Sequence, residues 1–150
     1  MENNIFRKSL LLCVLLFVVK TLFADNIHTT IEINGVIVNG GLIYVAVYSN
    51  ENDYKNEKAF TSFILQPNKT TLTHSLDLPD GEYVVSVFQD INSNERLDEN
   101  IFGIPSETVG KTNYSLRGAP GGFNKLKTPI NGKSTKLIVN MGRVKALGVI

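Results

Sequence analysis

Apolar residues recur at every second position along most of this chain, the period of a β-strand with one buried face. Ile27, Thr29, Ile31, Ile33, Gly35 and Ile37 alternate with His28, Thr30, Glu32 and Asn34 and predict a first strand. Asn39-Gly40-Gly41 follows as a turn signal, because glycine takes positive φ without steric cost. Leu42 to Tyr48 is apolar on both faces and reads as a central strand, joined to the first as a hairpin. Asn50 to Lys58 is a polar loop with room for one helical turn, and Phe60 to Leu65 is a third strand, ended by Pro67. Thr71 to Leu78 places Leu72, Leu76 and Leu78 on one face, and Pro79-Asp80-Gly81 turns the chain. Glu82 to Gln89 is rich in β-branched and aromatic residues and is the clearest strand. Thr135 to Met141 is the last, with Leu137, Val139 and Met141 facing inward. Between them, Asp90 to Lys133 reads as irregular chain. It carries six of the 12 glycines, and its aromatic residues argue for a folded loop rather than a disordered one. The tail from Gly142 to Ile150 leaves open an edge strand or a frayed end. The expected fold class is all-β, an antiparallel β-sandwich of about seven strands with one long loop.

No helical period appears, but the N-terminus breaks the rhythm in another way. Arg7 and Lys8 precede an unbroken apolar run, Leu10 to Val19, and Ala24 offers the small side chain that signal peptidase requires. The run falls short of the roughly 20 residues that span a bilayer. Residues 1–24 therefore read as a secretory signal peptide and residues 25–150 as a single domain, periplasmic or secreted, with no transmembrane segment after cleavage. The only cysteine, Cys13, lies in that run behind Leu11 and Leu12, which do not make a lipidation signal. The mature chain then has no disulfide framework and is held by its core. Cleavage takes Glu2, Arg7, Lys8 and Lys20 and moves the formal charge from +1 to −1. A near-neutral chain lacks the basic surface of a general nucleic-acid binder.

The main chemical signal is Asp90-Ile91-Asn92-Ser93-Asn94-Glu95-Arg96-Leu97-Asp98. Side-chain oxygens at relative positions 1, 3, 5 and 9 suit the six to eight oxygen ligands of Ca²⁺. The candidate metal ligands are Asp90, Asn92, Asn94, the backbone carbonyl of Arg96, Asp98 and the more distant Glu107, and the candidate cofactor is Ca²⁺. Glu95 stands where such loops bend on a glycine, and Ile101 where a bidentate glutamate closes an EF-hand. The competing reading is a turn in which these side chains bond their own backbone.

Catalysis has little support. Two histidines and no mature cysteine do not assemble a zinc site, and no G-x-S-x-G elbow is present. His74 shares a face with Leu72 and Leu76 and reads as packed, whereas His28 reads as solvated. A carboxylate pair drawn from Asp90, Asp98 and Glu107 keeps open a periplasmic hydrolase acting on glycans or esters. Phe102, Tyr114 and Phe123 either form a binding platform or pin the long loop to the core.

Several blocks occur in a fixed order: Pro79-Asp80-Gly81-Glu82-Tyr83, Phe88-Gln89-Asp90-Ile91-Asn92-Ser93-Asn94, Leu97-Asp98, Phe102-Gly103-Ile104-Pro105-Ser106-Glu107, Gly110-Lys111-Thr112-Asn113 and Pro120-Gly121-Gly122-Phe123. Together they resemble a family of small exported bacterial proteins, domain of unknown function 2141. The likeness runs from about Ile31 to Met141. The family pattern has glycine where this chain has Glu95, and a more apolar or aromatic residue where it has Lys111. The resemblance implies a periplasmic or secreted sandwich similar to transthyretin-like and carboxypeptidase-regulatory-like domains, and it implies no particular activity. The expected function is a binding or structural module of the cell envelope, its partner an envelope protein or a glycan and not a nucleic acid. The stretch from Asp90 to Glu107 is its expected working surface, and strand addition at an edge is a further mode.

Overall fold

The computed structural model describes residues 26–133 and 135–145. The signal peptide expected at residues 1–24 and the last five residues of the tail lie outside the described residues. No helix among the described residues is long and apolar enough to cross a membrane.

Among the described residues the fold has eight strands and two short helices. They are β1 (Ile27–Asn34), β2 (Leu42–Tyr48), α1 (Glu51–Lys55), β3 (Thr61–Leu65), β4 (Thr71–Leu78), β5 (Gly81–Asp90), β6 (Thr108–Lys111), α2 (Phe123–Leu126), β7 (Thr128–Ile130) and β8 (Lys136–Asn140). One sheet has the order β4-β1-β8 and the other β3-β2-β5-β6, with β7 pairing the start of β5. The inward faces meet in one apolar core. Ile31, Ile33, Leu78, Leu137 and Val139 come from the first sheet and Ile43, Val45, Val47, Val85 and Val87 from the second. This is the expected all-β sandwich, built by burying one face of each sheet.

Three expectations are corrected. First, β1 and β2 do not form a hairpin: β1 pairs with β4 and β8, whereas β2 pairs with β3 and β5. Alternation shows that both strands bury one face, but strands that face each other across a core alternate just as neighbours in a sheet do. The connection crosses between the sheets. Gly35, at φ +79°, brings its Cα against the Met141 carbonyl, where an added Cβ would lie 2.5 Å from that oxygen. Val36 then turns into the core, and Ile37 is left 47% exposed instead of facing inward. Second, the pairing is not wholly antiparallel, because β8 runs parallel to β1. Between β4 and β8 the chain passes through the second sheet, and such a crossover permits a parallel neighbour. Third, the stretch expected to be irregular contains β6, α2 and β7. Four and three residues are too few to show a period.

β6 also links the sheets. Gly110 packs so closely on β8 that a Cβ would stand 2.6 Å from Val139 Cγ1 and 2.9 Å from the Asn140 carbonyl. Isolated bridges join Thr112 to Val139 and Val109 to Gly142, so the first residues of the tail are tied down. His74 stacks on Phe63 with 4.0 Å between centroids, and His28 is exposed beside Asp77.

Candidate functional site

The residues of β2 and β5 that do not enter the core form the outer face of the second sheet. The register places Ser62, Ala46, Ser86 and Lys111 in one row across β3, β2, β5 and β6. The next row is Ile64, Tyr44, Phe88 and Val109. Tyr44 and Phe88 stack, with 4.9 Å between centroids and 8° between planes. On the other side of the small row, Tyr48 meets Tyr54 of α1 edge to face at 5.3 Å. Beyond it α2 covers the sheet, where Phe123, Leu126, Tyr48 and Val84 form a second buried cluster. Asn50 sets α1 in place by accepting from the Asp53 N–H at 2.9 Å, as an N-cap does. Asn113 holds α2 by donating its amide to the Leu126 and Lys127 carbonyls at 3.2 and 2.9 Å.

The open rows are the floor of a two-lobed cleft. One lobe, about 560 Å³, is lined by Tyr44, Ala46, Tyr48, Tyr54, Phe88 and Lys111, among others. The other, about 490 Å³, lies under the long loop and is walled by Leu97, Phe102, Ile104, Pro105, Pro120 and Val144. Ser86, Phe88, Leu97, Glu57 and Lys111 line both. Volumes of this order and mostly apolar linings are usual for small-molecule sites.

Lys111 is the polar group set into this surface. Its Nζ lies 2.9 Å from Ser86 Oγ and 5.0 Å from the centroid of the Tyr54 ring. Burial disfavours its charged form and holds its pKa below the ordinary lysine value, with the Glu57 carboxylate pulling the other way. Burial likewise pushes the Tyr48 and Tyr54 phenols up.

The loop above the cleft begins where β5 ends. Asp90, 2% exposed, accepts the Asn94 N–H at 3.1 Å on one oxygen and the Glu95 N–H at 2.9 Å on the other. Asn92 Oδ1 accepts from the Asn94 N–H at 3.2 Å, and Asn94 Oδ1 from the Arg96 N–H at 2.9 Å. Both asparagine amides donate to Asp98 Oδ2, at 2.6 and 2.9 Å. Glu107, 4% exposed, ties the two ends together, accepting the Ile91 N–H at 2.9 Å and the Asp98 N–H at 3.4 Å. Five of the six expected ligands therefore contribute side chains to one network, and Arg96 joins it through its backbone. The bend falls at Ser93 and Glu95, whose φ values are +60° and +62°. Glu95 thus occupies the left-handed region that glycine enters at no cost. Among the described residues, no three Asp, Glu, His or Cys side chains gather as a metal site. The acids weighed as a hydrolytic pair, Asp90, Asp98 and Glu107, lie in this network and not along the cleft.

Past the network, Asn100 Oδ1 accepts the Phe102 and Ile104 N–H groups at 2.9 and 3.1 Å and shapes a tip that leaves Ile101 93% and Phe102 79% exposed. The three loop aromatics divide: Phe123 is core, Tyr114 packs against that cluster, and Phe102 walls the cleft. Sequence reasoning missed Lys111, Tyr44, Tyr54, Ser86 and Phe88 as site residues. The one signal for them was the two-sided apolar run of β2, which predicts a covered second face without saying what covers it.

The family model described as "Uncharacterized protein conserved in bacteria (DUF2141)" matches residues 31–138. No curated protein and no solved structure matches the chain.

Proposed function

The chain belongs to the DUF2141 family of bacterial proteins, and on that premise we propose that it is an exported binding module of the cell envelope that holds a small molecule on the outer face of its five-stranded sheet. The observation that carries this reading is the two-lobed cleft, concave, floored by stacked aromatic rings and provided with a single inward-set amine. The pattern from Arg7 to Ala24 supports export. The test is titration of the folded protein with N-phenyl-1-naphthylamine, a neutral dye that brightens in apolar surroundings. Saturable one-site binding is expected, lost in Ala46→Phe, which fills the floor, while the urea midpoint of that variant stays near wild type. The reading fails if the folded protein gives no saturable signal, or if Ala46→Phe binds as before.

A second reading concerns the loop. The convergence of Asp90, Asn92, Asn94, Asp98 and Glu107 in one network supports Ca²⁺ as a brace there. The side chains offer oxygens that suit a hard cation, although Asn92 and Asn94 turn their amide N–H groups toward Asp98, so an ion there requires both amides to turn over. Such an ion would bind the folded state alone and add stability by mass action. A rise in melting temperature at millimolar CaCl₂, reversed by chelation, is expected; an unchanged melt would leave the loop as a self-bonded turn.

A further inference from the structure

Lys111 stands where the two lobes of the cleft meet. Its ammonium can donate three hydrogen bonds, and the protein supplies one neutral acceptor, Ser86 Oγ at 2.9 Å, and the face of Tyr54. Among the described residues, no carboxylate lies within 4.0 Å of it. Three of the more exposed lysines are served differently. Lys55, Lys127 and Lys136 each hold a glutamate oxygen at 2.7, 2.7 and 2.6 Å. These three are paired although water reaches them, whereas Lys111, partly stripped of water, has no carboxylate within reach. That inversion leaves a charge in the cleft that a ligand can answer.

Resting on the reading of the cleft as a ligand site, we propose that its occupant is a singly charged amphiphile, an apolar chain ending in one carboxylate, with that carboxylate on the Lys111 amine. The apolar part matches the lining: the Tyr44–Phe88 stack, Leu97, Ile104 and Pro105 offer contact area and few polar atoms. The charge is limited to one. Lys111 is a point cation, Lys55 at the margin is already paired with Glu51, and Glu57 and Glu99 on the walls repel further negative charge. No arginine lines either lobe, so the planar fork that favours phosphate is absent from the cleft lining.

The experiment compares dodecanoate with dodecanol, below their aggregation limits at neutral pH, by displacement of N-phenyl-1-naphthylamine from wild type and from Lys111→Met. Dodecanoate is expected to bind wild type about tenfold or more tightly than dodecanol, the scale of one charge-assisted contact. Lys111→Met should bind both alike, with dodecanol unchanged. Equal affinities in wild type, or a preference for dodecanoate that survives in Lys111→Met, would overturn the ligand class and leave the cleft as a binding site. Binding of the dye with neither chain displacing it would have the same meaning. If the dye also fails to bind, the underlying reading of the cleft fails with it.

Discussion

Replacing Lys111 with methionine should make the protein more stable, and the structure gives both the sign and the scale. The lysine's favourable terms are its bond to Ser86 Oγ at 2.9 Å, its place over the Tyr54 ring and the longer-range attraction of the Glu57 carboxylate. Against them stands the removal of an ammonium from water without a carboxylate beside it, a cost of several kcal/mol before compensation. The lowered pKa shows which side is larger, because a base loses its proton early only when its surroundings disfavour the charge. Methionine keeps most of the length and the apolar character of the stem while removing the charge. A net gain on the order of 1 kcal/mol follows, the low end of what replacing buried charged groups by well-packed apolar ones of similar volume gives. Urea unfolding at pH 7 should therefore shift to a higher midpoint by roughly 0.5 M, for a slope near 2 kcal/mol per molar. The pH dependence supplies a second readout. Between the lowered folded pKa and the ordinary 10.5, the unfolded lysine holds a proton that the folded one has released. The unfolded state binds more protons there, so wild-type stability rises with pH across that window. The advantage of Lys111→Met should shrink over the same interval. A variant destabilised by 1 kcal/mol or more, or a difference that stays constant up to pH 10.5, would refute this account of the amine.

Gln89→Leu tests the crossover between the sheets. Gln89 accepts the Ile37 N–H at 3.0 Å and donates to the Ile37 and Gly41 carbonyls at 2.7 and 3.1 Å. Its loss should cost about 2–3 kcal/mol in urea unfolding, because only the Ile37 carbonyl keeps another donor, the Gly40 N–H. A cost under 1 kcal/mol would show that water replaces those bonds. Glu95→Gly should stabilise by about 0.5–1 kcal/mol, as it relieves a left-handed non-glycine residue. Loss of stability would mean that the Glu95 side chain does work not visible in its contacts. Intact-mass measurement of protein recovered from a bacterial periplasm should give a chain beginning at Asp25; a retained N-terminus would refute export by cleavage.

Much of the fold was legible because burial of a sheet face writes a two-residue period. β4 and β5 were found within a residue or so of their ends, and Leu137, Val139 and Met141 face the core as their alternation required. The pairing of strands was not legible in the same way. The Asn39-Gly40-Gly41 turn is present, with Asn39 and Gly41 both at positive φ, yet it serves a crossover. What sends the chain across is tertiary: the Met141 carbonyl against Gly35 and the Gln89 amide on Ile37, both distant in sequence. The oxygen-rich loop was legible in membership, because Asx side chains bond backbone within two to five residues and leave a local spacing. Glu107 joins it from nine residues beyond Asp98, which spacing alone ranks low. The cleft was legible only as a second apolar face on β2. Its row of Ser62, Ala46, Ser86 and Lys111 comes from four strands, and each residue alone is an unremarkable outward position.

The cleft and the oxygen-rich loop beside it are mechanically one. Leu97, Ile104 and Pro105 wall the cleft, and they belong to the loop whose base is held by Asp90 and Glu107. The carboxylates fix that base through backbone N–H groups, so they set where the wall stands without touching what lies against it. Gly41 sharpens the constraint. Its Cα passes so close to the Asp90 carbonyl that a Cβ would fall 1.8 Å from the oxygen, which pins the start of the loop to the crossover. An occupant that gains contact with Leu97 and Ile104 therefore favours the closed arrangement of the oxygen network. By the reciprocity of linked equilibria, anything that braces the network favours the occupant by the same factor. The oxygen-rich turn is thus coupled to the proposed ligand site through the position of a wall, whether it is held by its own hydrogen bonds or by a cation.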